Sequence, residues 1–479
     1  MIEKLTIRNF KSWEICDLEF GKVTALFGAN SSGKTSILQF LLMLKQTASS
    51  RDRRIFNFGG YESDFVDLGS YDSAVYGHDV RKSIGFELAW IPSYQENPQV
   101  KILKSHVAVF YSYINNEIAI ESREFKSLLE DWNHLYSDDA NPYEYKENIV
   151  LNDDTYFVTN SWDNSDKPKK RARITSFYGG STLDFDPDDN EYWHTTTESE
   201  AIGSSLKAIL SSTQYLGPLR AYPQREYRWT GERPSTVGVR GEFAIQTMLA
   251  DLVTRQANGK KTQGKLLAAT NAWLKRLGVV EEIELRPVGE KSRLYEVIVK
   301  SPNFKHEANL ADVGFGVSQV LPIVVMAHLV PEGSLIILEQ PELHLHPNVQ
   351  TQLADFFLEL SVERNIQFLI ESHSERLMQR LQQLLVEKPG KLAPLKDNDL
   401  RFYFCRRDPD SSVLEPVHSD LDGSITNIPG DFYDSVLPFL QQLEADGLGT
   451  EPIDISANHD EYVAQPSVRV LRDKDDQSE

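Results

Sequence analysis

Residues 23–47, VTALFGANSSGKTSILQFLLMLKQT, constrain this chain more than any other stretch. An apolar strand, Val23 to Phe27, runs into a glycine loop, and an apolar-faced helix follows. The loop Gly28-Ala29-Asn30-Ser31-Ser32-Gly33-Lys34-Thr35 fits G-x-x-x-x-G-K-[ST] without a mismatch, in the strand–loop–helix context that a phosphate-binding loop requires. Gly28 and Gly33 let the backbone curl so that its N–H groups point at phosphate oxygens. Asn30, Ser31, Ser32 and Ser36 belong to the same predicted cradle. The helix starting near Lys34 adds the partial positive charge of its N-terminus. Lys34 is predicted to reach the outer phosphates of ATP, and the Thr35 hydroxyl to bind Mg²⁺.

The remaining 479-residue chain is ordinary in composition, 40% hydrophobic and 25% charged, which is enough for two or three domains. No apolar run approaches the roughly 18 residues of a membrane span, and the N-terminus lacks a signal-peptide core, so no membrane partner is expected. Cys16 and Cys405 are the only cysteines, which fits a reducing cytoplasm and excludes a disulfide framework. A net charge of −21 removes the whole-surface basic footprint of a nucleic-acid binder, although local patches remain open.

Taken in order, Ile2, Leu5, Ile7, Phe10, then Ile15, Leu18 and Phe20 predict two paired strands ahead of the loop strand. Residues 54–79 read as short strands with turns. From about 84 to 204 short alternating runs predict a mostly antiparallel β insertion that folds largely by itself, with helical spacing only near 125–136. Its basic stretch, Lys167 to Arg173, reads as a solvated hairpin tip in preference to a nucleic-acid contact. Residues 242–277 are predicted to be mainly helical, and strands follow at EEIELRPV and LYEVIVKS. The domain division is therefore 1–83, 84–204, 205–430, and a C-terminal helix with an acidic tail over 431–479.

A second constellation lies in the C-terminal third. SLIIL followed by Glu339 predicts a buried parallel strand with a carboxylate at the edge where α/β sheets bind ligands. Glu339 is thus placed to hold Mg²⁺ beside the loop. IQFLI is a second such strand, ending in Glu371-Ser372-His373-Ser374, where His373 can reach a γ-phosphate or a water. His344 and His346 read as structural loop residues, since no third zinc ligand has recognisable spacing. VGFGVSQ, with Gly314, Gly316 and Ser318, opens an apolar helix and offers a second phosphate-facing surface that suits the ATP of another chain.

With its opening Leu5-to-Ser12 pattern L-x-I-x-N-F-K-S, LEQPELHLHP and ESHSE, the sequence resembles ABC-type ATPases of the SMC/RecF/OLD kind. More narrowly, it resembles bacterial AAA-family ABC ATPases whose head is split by an insertion. The resemblance covers about 1–80 and 205–430. It implies an α/β fold, a P-loop ABC-ATPase head with a mixed sheet interrupted by the β insertion. It also implies a head-to-head homodimer around two ATPs and kinship with antiphage defence and genome maintenance. A nuclease or toxin effector is then the expected partner, with DNA or a phage protein as a trigger.

Three features depart from the family pattern. VGFGVSQ replaces LSGGQ, and no glutamine stands between Thr47 and Ile91 to serve as a Q-loop. Gln340 occupies the place where the resemblance puts a catalytic glutamate, and an amide accepts no proton as a carboxylate does. Either Glu342 takes over or hydrolysis is slow. The leading expectation is an ATP-dependent dimerisation switch controlling an effector; the alternative is a RecF-like ATPase acting directly on DNA. A transporter subunit is disfavoured by the insertion, and a nuclease built on Asp397-Asn398-Asp399 by that D-x-D preceding a strand instead of ending one.

Overall fold

The computed structural model describes residues 1–61, 64–92, 100–114, 117–131, 143–152, 155–161, 170–174, 181–183, 197–257, 264–289, 292–301, 306–387, 392 and 395–417. The chain divides into units Met1–Ile428 and Pro429–Glu479, and all that follows concerns the first. The helix and acidic tail expected over 431–479 lie outside the described residues, as do Lys167, Pro168 and Lys169 of the basic stretch.

Ile2–Phe10 (β1) and Trp13–Glu19 (β2) form the expected hairpin, with Phe10 opposite Trp13. Val23–Phe27 (β3) then enters the loop, and Lys34–Ser49 (α1) leaves it. Between α1 and the next strand the described residues include Tyr71–Ala74 (α2), a short 3-10 turn and an isolated bridge from Phe10 to Val75, but no strand. The short strands expected over 54–79 are therefore absent from its described residues. Phe56 and Phe58 act as core plugs there: Phe56 packs against the rings of Phe40, Phe86 and Tyr111. Gln46 of α1 satisfies the loop's backbone, donating to Asn57 O and Val66 O and accepting from the amides of Phe65 and Val66.

Seven further strands follow: Ile84–Trp90 (β4), Val100–Ile114 (β5), Glu117–Asp131 (β6), Tyr143–Asn152 (β7), Thr155–Ser161 (β8), Lys170–Ile174 (β9) and Ser181–Leu183 (β10). They are antiparallel, as predicted, but they are not a separate sheet. The order β10-β9-β8-β7-β6-β5-β4-β1-β2 makes them one nine-stranded sheet with the N-terminal hairpin. β4 pairs with β1 from Ile2↔Trp90 to Arg8↔Gly85, and its buried Phe86, Leu88 and Trp90 share a core with Phe10, Phe40 and Leu41. The boundary at 83/84 is thus a change of sequence texture and not a break in packing. The helical spacing at 125–136 is overridden as far as Asp131, because β6 is paired on both sides, by β5 and β7. Lys170 to Arg173 also lies in a paired strand instead of a hairpin tip.

Thr197–Ser212 (α3) packs back on α1 and β5, with the Trp90 indole donating to Ser205 Oγ at 3.0 Å. The buried ammonium of Lys45 on α1 donates to Ser211 O at 2.9 Å, capping the end of α3. One residue later begins Gln214–Leu216 (β11). Tyr227–Arg228 (β12), Ala244–Ala257 (α4), Lys265–Arg276 (α5), Glu282–Pro287 (β13), Leu294–Lys300 (β14) and Glu307–Asn309 (β15) come next. The four strands form a small antiparallel sheet around β14, and the helical prediction for 242–277 agrees with α4 and α5.

The remaining elements build the sheet under the loop. They are Phe315–Leu329 (α6), Leu335–Glu339 (β16), Pro347–Glu363 (α7), Gln367–Glu371 (β17), Glu375–Glu387 (α8), Leu400–Arg407 (β18) and Ser412–Pro416 (β19). The order is β11-β16-β17-β3-β18-β19, parallel except for the antiparallel edge β19. This is the mixed sheet of the expected α/β fold. β3, β16 and β17 are buried along their whole length, as continuous apolar runs in a parallel sheet must be.

Candidate nucleotide-binding site

The glycine loop, the N-terminal hairpin and two strand ends converge on one cleft. It is lined by Ser12, Asn30 to Ser36, Pro218, Glu339, Gln340 and Glu371. Gly28 and Gly33 adopt φ of 137° and 99°, and Ser31 is left-handed at 63°. A Cβ on Gly28 would lie 2.2 Å from Cys405 O, and one on Gly33 would lie 2.7 Å from Ser412 Oγ, so both positions demand glycine. The Trp13 indole donates to Gly33 O at 3.0 Å, and Ser12 bonds Ser412 through backbone and hydroxyl. The L-x-I-x-N-F-K-S pattern is therefore the support on which the loop rests.

Lys34 Nζ donates to Gly28 O at 2.9 Å and Ala29 O at 2.7 Å. Burial lowers its pKa, opposed by the charge of Glu371. Glu339 and Glu371 are register partners at the C-terminal ends of β16 and β17. Thr35 Oγ1 donates to Glu371 Oε2 at 2.9 Å and Oε1 at 3.0 Å, while Glu339 Oε1 accepts from the Tyr215 hydroxyl at 2.8 Å. Burial raises both carboxyls; Glu371, with Glu339 adding like-charge repulsion, is pushed up to about 7. The donors of the loop, the Thr35 hydroxyl and two acids in search of a cation fit a magnesium-bound nucleoside triphosphate. Lys34, Thr35, Glu339 and Glu371 would hold it, and the metal would neutralise phosphate charge there.

Other predicted residues fall elsewhere. Gln340 lines the cleft in a strained conformation, φ 43°, with its amide donating to Glu371 O at 2.8 Å. Glu342 and His373 are not among the lining residues: buried Glu342 Oε1 accepts from His373 N at 2.8 Å and so ties the two loops together. Burial lowers the His373 pKa, with Lys34 adding to the effect. Gly316 and Ser318 sit at the start of α6, outside the cleft, and the buried Ser318 hydroxyl donates to Phe315 O at 2.8 Å. A Cβ added at Gly314 would meet nothing within 4 Å, whereas the Ser318 hydroxyl is turned back onto its own helix. His346 caps α7, accepting from Asn348 N, and Asp399 accepts from Lys396 N to close its own turn.

Ser12, Tyr215, Pro218, Arg220 and Glu371 are absent from the sequence-predicted set. Glu371 had the same signal as Glu339, an acid ending a buried apolar run. Tyr215 and Arg220 required the β11–β16 register, which no local pattern reveals.

A P-loop at the edge of a parallel sheet, facing two acids on the neighbouring strand ends, defines a P-loop nucleotide-binding protein. The chain belongs to the AAA-domain family described as "AAA domain, putative AbiEii toxin, Type IV TA system", whose profile matches residues 101–379. A second profile, described as "AAA domain", matches residues 4–107, which include the P-loop. No curated protein matches the chain. Similar solved structures include the SmcHead bound to the C-winged helix domain of ScpA, at 15% identity, 88% of this chain, 98% of that chain and TM-score 0.42. The SMC head domain from Thermotoga maritima matches at 14% identity, 87% of this chain, 99% of that chain and TM-score 0.36. An Smc head domain with an extended coiled coil bound to the C-terminal domain of ScpA, from Pyrococcus furiosus, matches at 11%, 92%, 99% and 0.39. Among the described residues, no helix is long and apolar enough to cross a membrane.

Proposed function

We propose that the protein is an ATP-operated switch: two copies close head to head on magnesium-bound ATP, hydrolyse it slowly, and so control a nuclease or toxin effector in antiphage defence. The observation that carries the nucleotide part is the cleft in which Lys34 and Thr35 meet Glu371 and Glu339. Thr35 and Glu339 are the magnesium residues of this reading, Gln340 lies on the outer phosphate side, His373 stands behind it outside the cleft lining, and the Gly314–Gly316 backbone faces the partner's nucleotide. Pairing between copies is supported by apolar surface beside α6. Phe315 is 54% exposed and touches the 73% exposed Tyr222, with Leu219 at 70% nearby in sequence. Control of an effector is supported by the family's toxin-system description.

Lys34→Ala tests the base of this reading. Charge-assisted contacts to phosphate are worth about 1.5–3 kcal/mol, so ATP affinity measured by calorimetry falls about tenfold or more. The ATP-dependent rise in mass by light scattering disappears with it. Unchanged affinity would overturn the assignment of the loop.

A further inference from the structure

Tyr215 and Arg220 belong to one short segment, β11 and the Gly-Pro turn after it, and Tyr215 meets an acid of the site. Tyr215 pairs in register with Ile337, two residues before Glu339, which brings its hydroxyl to Glu339 Oε1 at 2.8 Å. Arg220 is 94% buried, 6% being exposed, and its Nε and Nη1 have no hydrogen-bond partner among the described residues. Its charge is felt by Tyr215, Glu339 and Glu342; burial nevertheless lowers its pKa to about 10. A buried guanidinium is costly unless acids balance it, and these acids are costly unless a cation balances them. Glu339 without the Tyr215 hydroxyl would be a strand-end carboxyl free to rotate.

We propose that Tyr215 is a positioning residue for Glu339: its hydroxyl fixes one carboxylate oxygen, leaving the other set toward the cleft for magnesium-bound nucleotide. The inference rests on the nucleotide reading given above. Tyr215 and Arg220 follow α3 directly, and α3 is tied by Ser205 to Trp90 and by Lys45 to the P-loop helix. The strand that holds the acid is therefore the one that immediately follows the helix packed on the β sheet.

The test is calorimetry with a slowly hydrolysed ATP analogue, with and without Mg²⁺, on the full chain. Tyr215→Phe removes one hydroxyl and keeps the ring. It is expected to leave magnesium-free nucleotide affinity unchanged and to weaken magnesium-dependent affinity about tenfold, the usual effect of losing a hydrogen bond to a charged group. Thermal melting of the nucleotide-free variant separates positioning from folding. Tyr215→Phe with wild-type magnesium dependence would overturn the inference. Wild-type protein that binds the analogue with no magnesium dependence would instead overturn the role given to Glu339, and nucleotide-blind wild type the reading of the site.

Discussion

Excision of residues 84–204 with a short linker is expected to abolish soluble protein, not merely partner recognition. β4 supplies the ladder partner of β1, and without it β1 becomes an open edge along its length. The same cut removes Phe86, Trp90, Val109 and Tyr111 from a core that they share with Ile7, Phe10, Phe40 and Leu41 of the head. It also removes Ile202 and the first half of α3, the helix that covers the P-loop helix. Loss of one large buried aromatic costs about 3–5 kcal/mol. A domain's whole stability is about 5–15 kcal/mol, so the sum is fatal. Trp90→Ala alone, which also removes the indole's hydrogen bond to Ser205 Oγ, should lower unfolding free energy by about 3–5 kcal/mol in denaturant titrations. A linker in place of 132–196, which spares β4, β5, β6 and α3, should leave protein that is soluble and binds ATP. Soluble, ATP-binding protein from the full excision would show that β1 and α1 need no cover from these strands.

What was legible in the sequence follows from where each signal resides. β3, the loop and α1 were readable because the glycines, lysine and threonine are contiguous. β16 and β17 were readable because strands buried on both faces are unbroken apolar runs. β6 was not, since Phe125, Leu128 and Leu129 are compatible with a helical face and only pairing with β5 and β7 decides otherwise. Phe56 and Phe58 suggested strands, but they fill a pocket between α1 and the sheet, and Gln46 substitutes for a ladder. The boundary at residue 84 failed for the same reason: composition changes there, while the β1–β4 hydrogen bonds that erase the boundary join residues some 80 positions apart. At the site, the identity of Glu339 was local, but its partnership with Glu371 and Tyr215 is set by strand order β11-β16-β17.

Gln340→Glu is expected to accelerate ATP hydrolysis strongly. Gln340 is the residue after the β16 acid, it lines the cleft, and its backbone is pinned by the bond from its amide to Glu371 O. Its side-chain amide has no useful basicity at that place. Glu342, the nearest alternative in sequence, is occupied: it is buried, receives the His373 amide, and lies outside the lining of the cleft. The carboxylates that do line it, Glu339 and Glu371, are engaged by Tyr215 and Thr35. A glutamate at 340 fits the same left-handed backbone as the glutamine, φ 43°, and supplies the missing proton acceptor. General-base catalysis is worth about 10²–10⁴-fold, so single-turnover hydrolysis should rise within that range. The dimer proposed above, followed by light scattering, should shorten its lifetime in step. A third carboxylate beside Glu339 and Glu371 adds repulsion, so the nucleotide-free variant should melt below wild type and recover when magnesium and nucleotide are added. Glu342→Ala should behave differently, lowering stability by freeing the His373 loop while leaving the hydrolysis rate of the folded fraction near wild type. Wild-type turnover as fast as that of Gln340→Glu would show that position 340 does not govern the chemistry, and that a group already in the cleft, Glu371 foremost, accepts the proton.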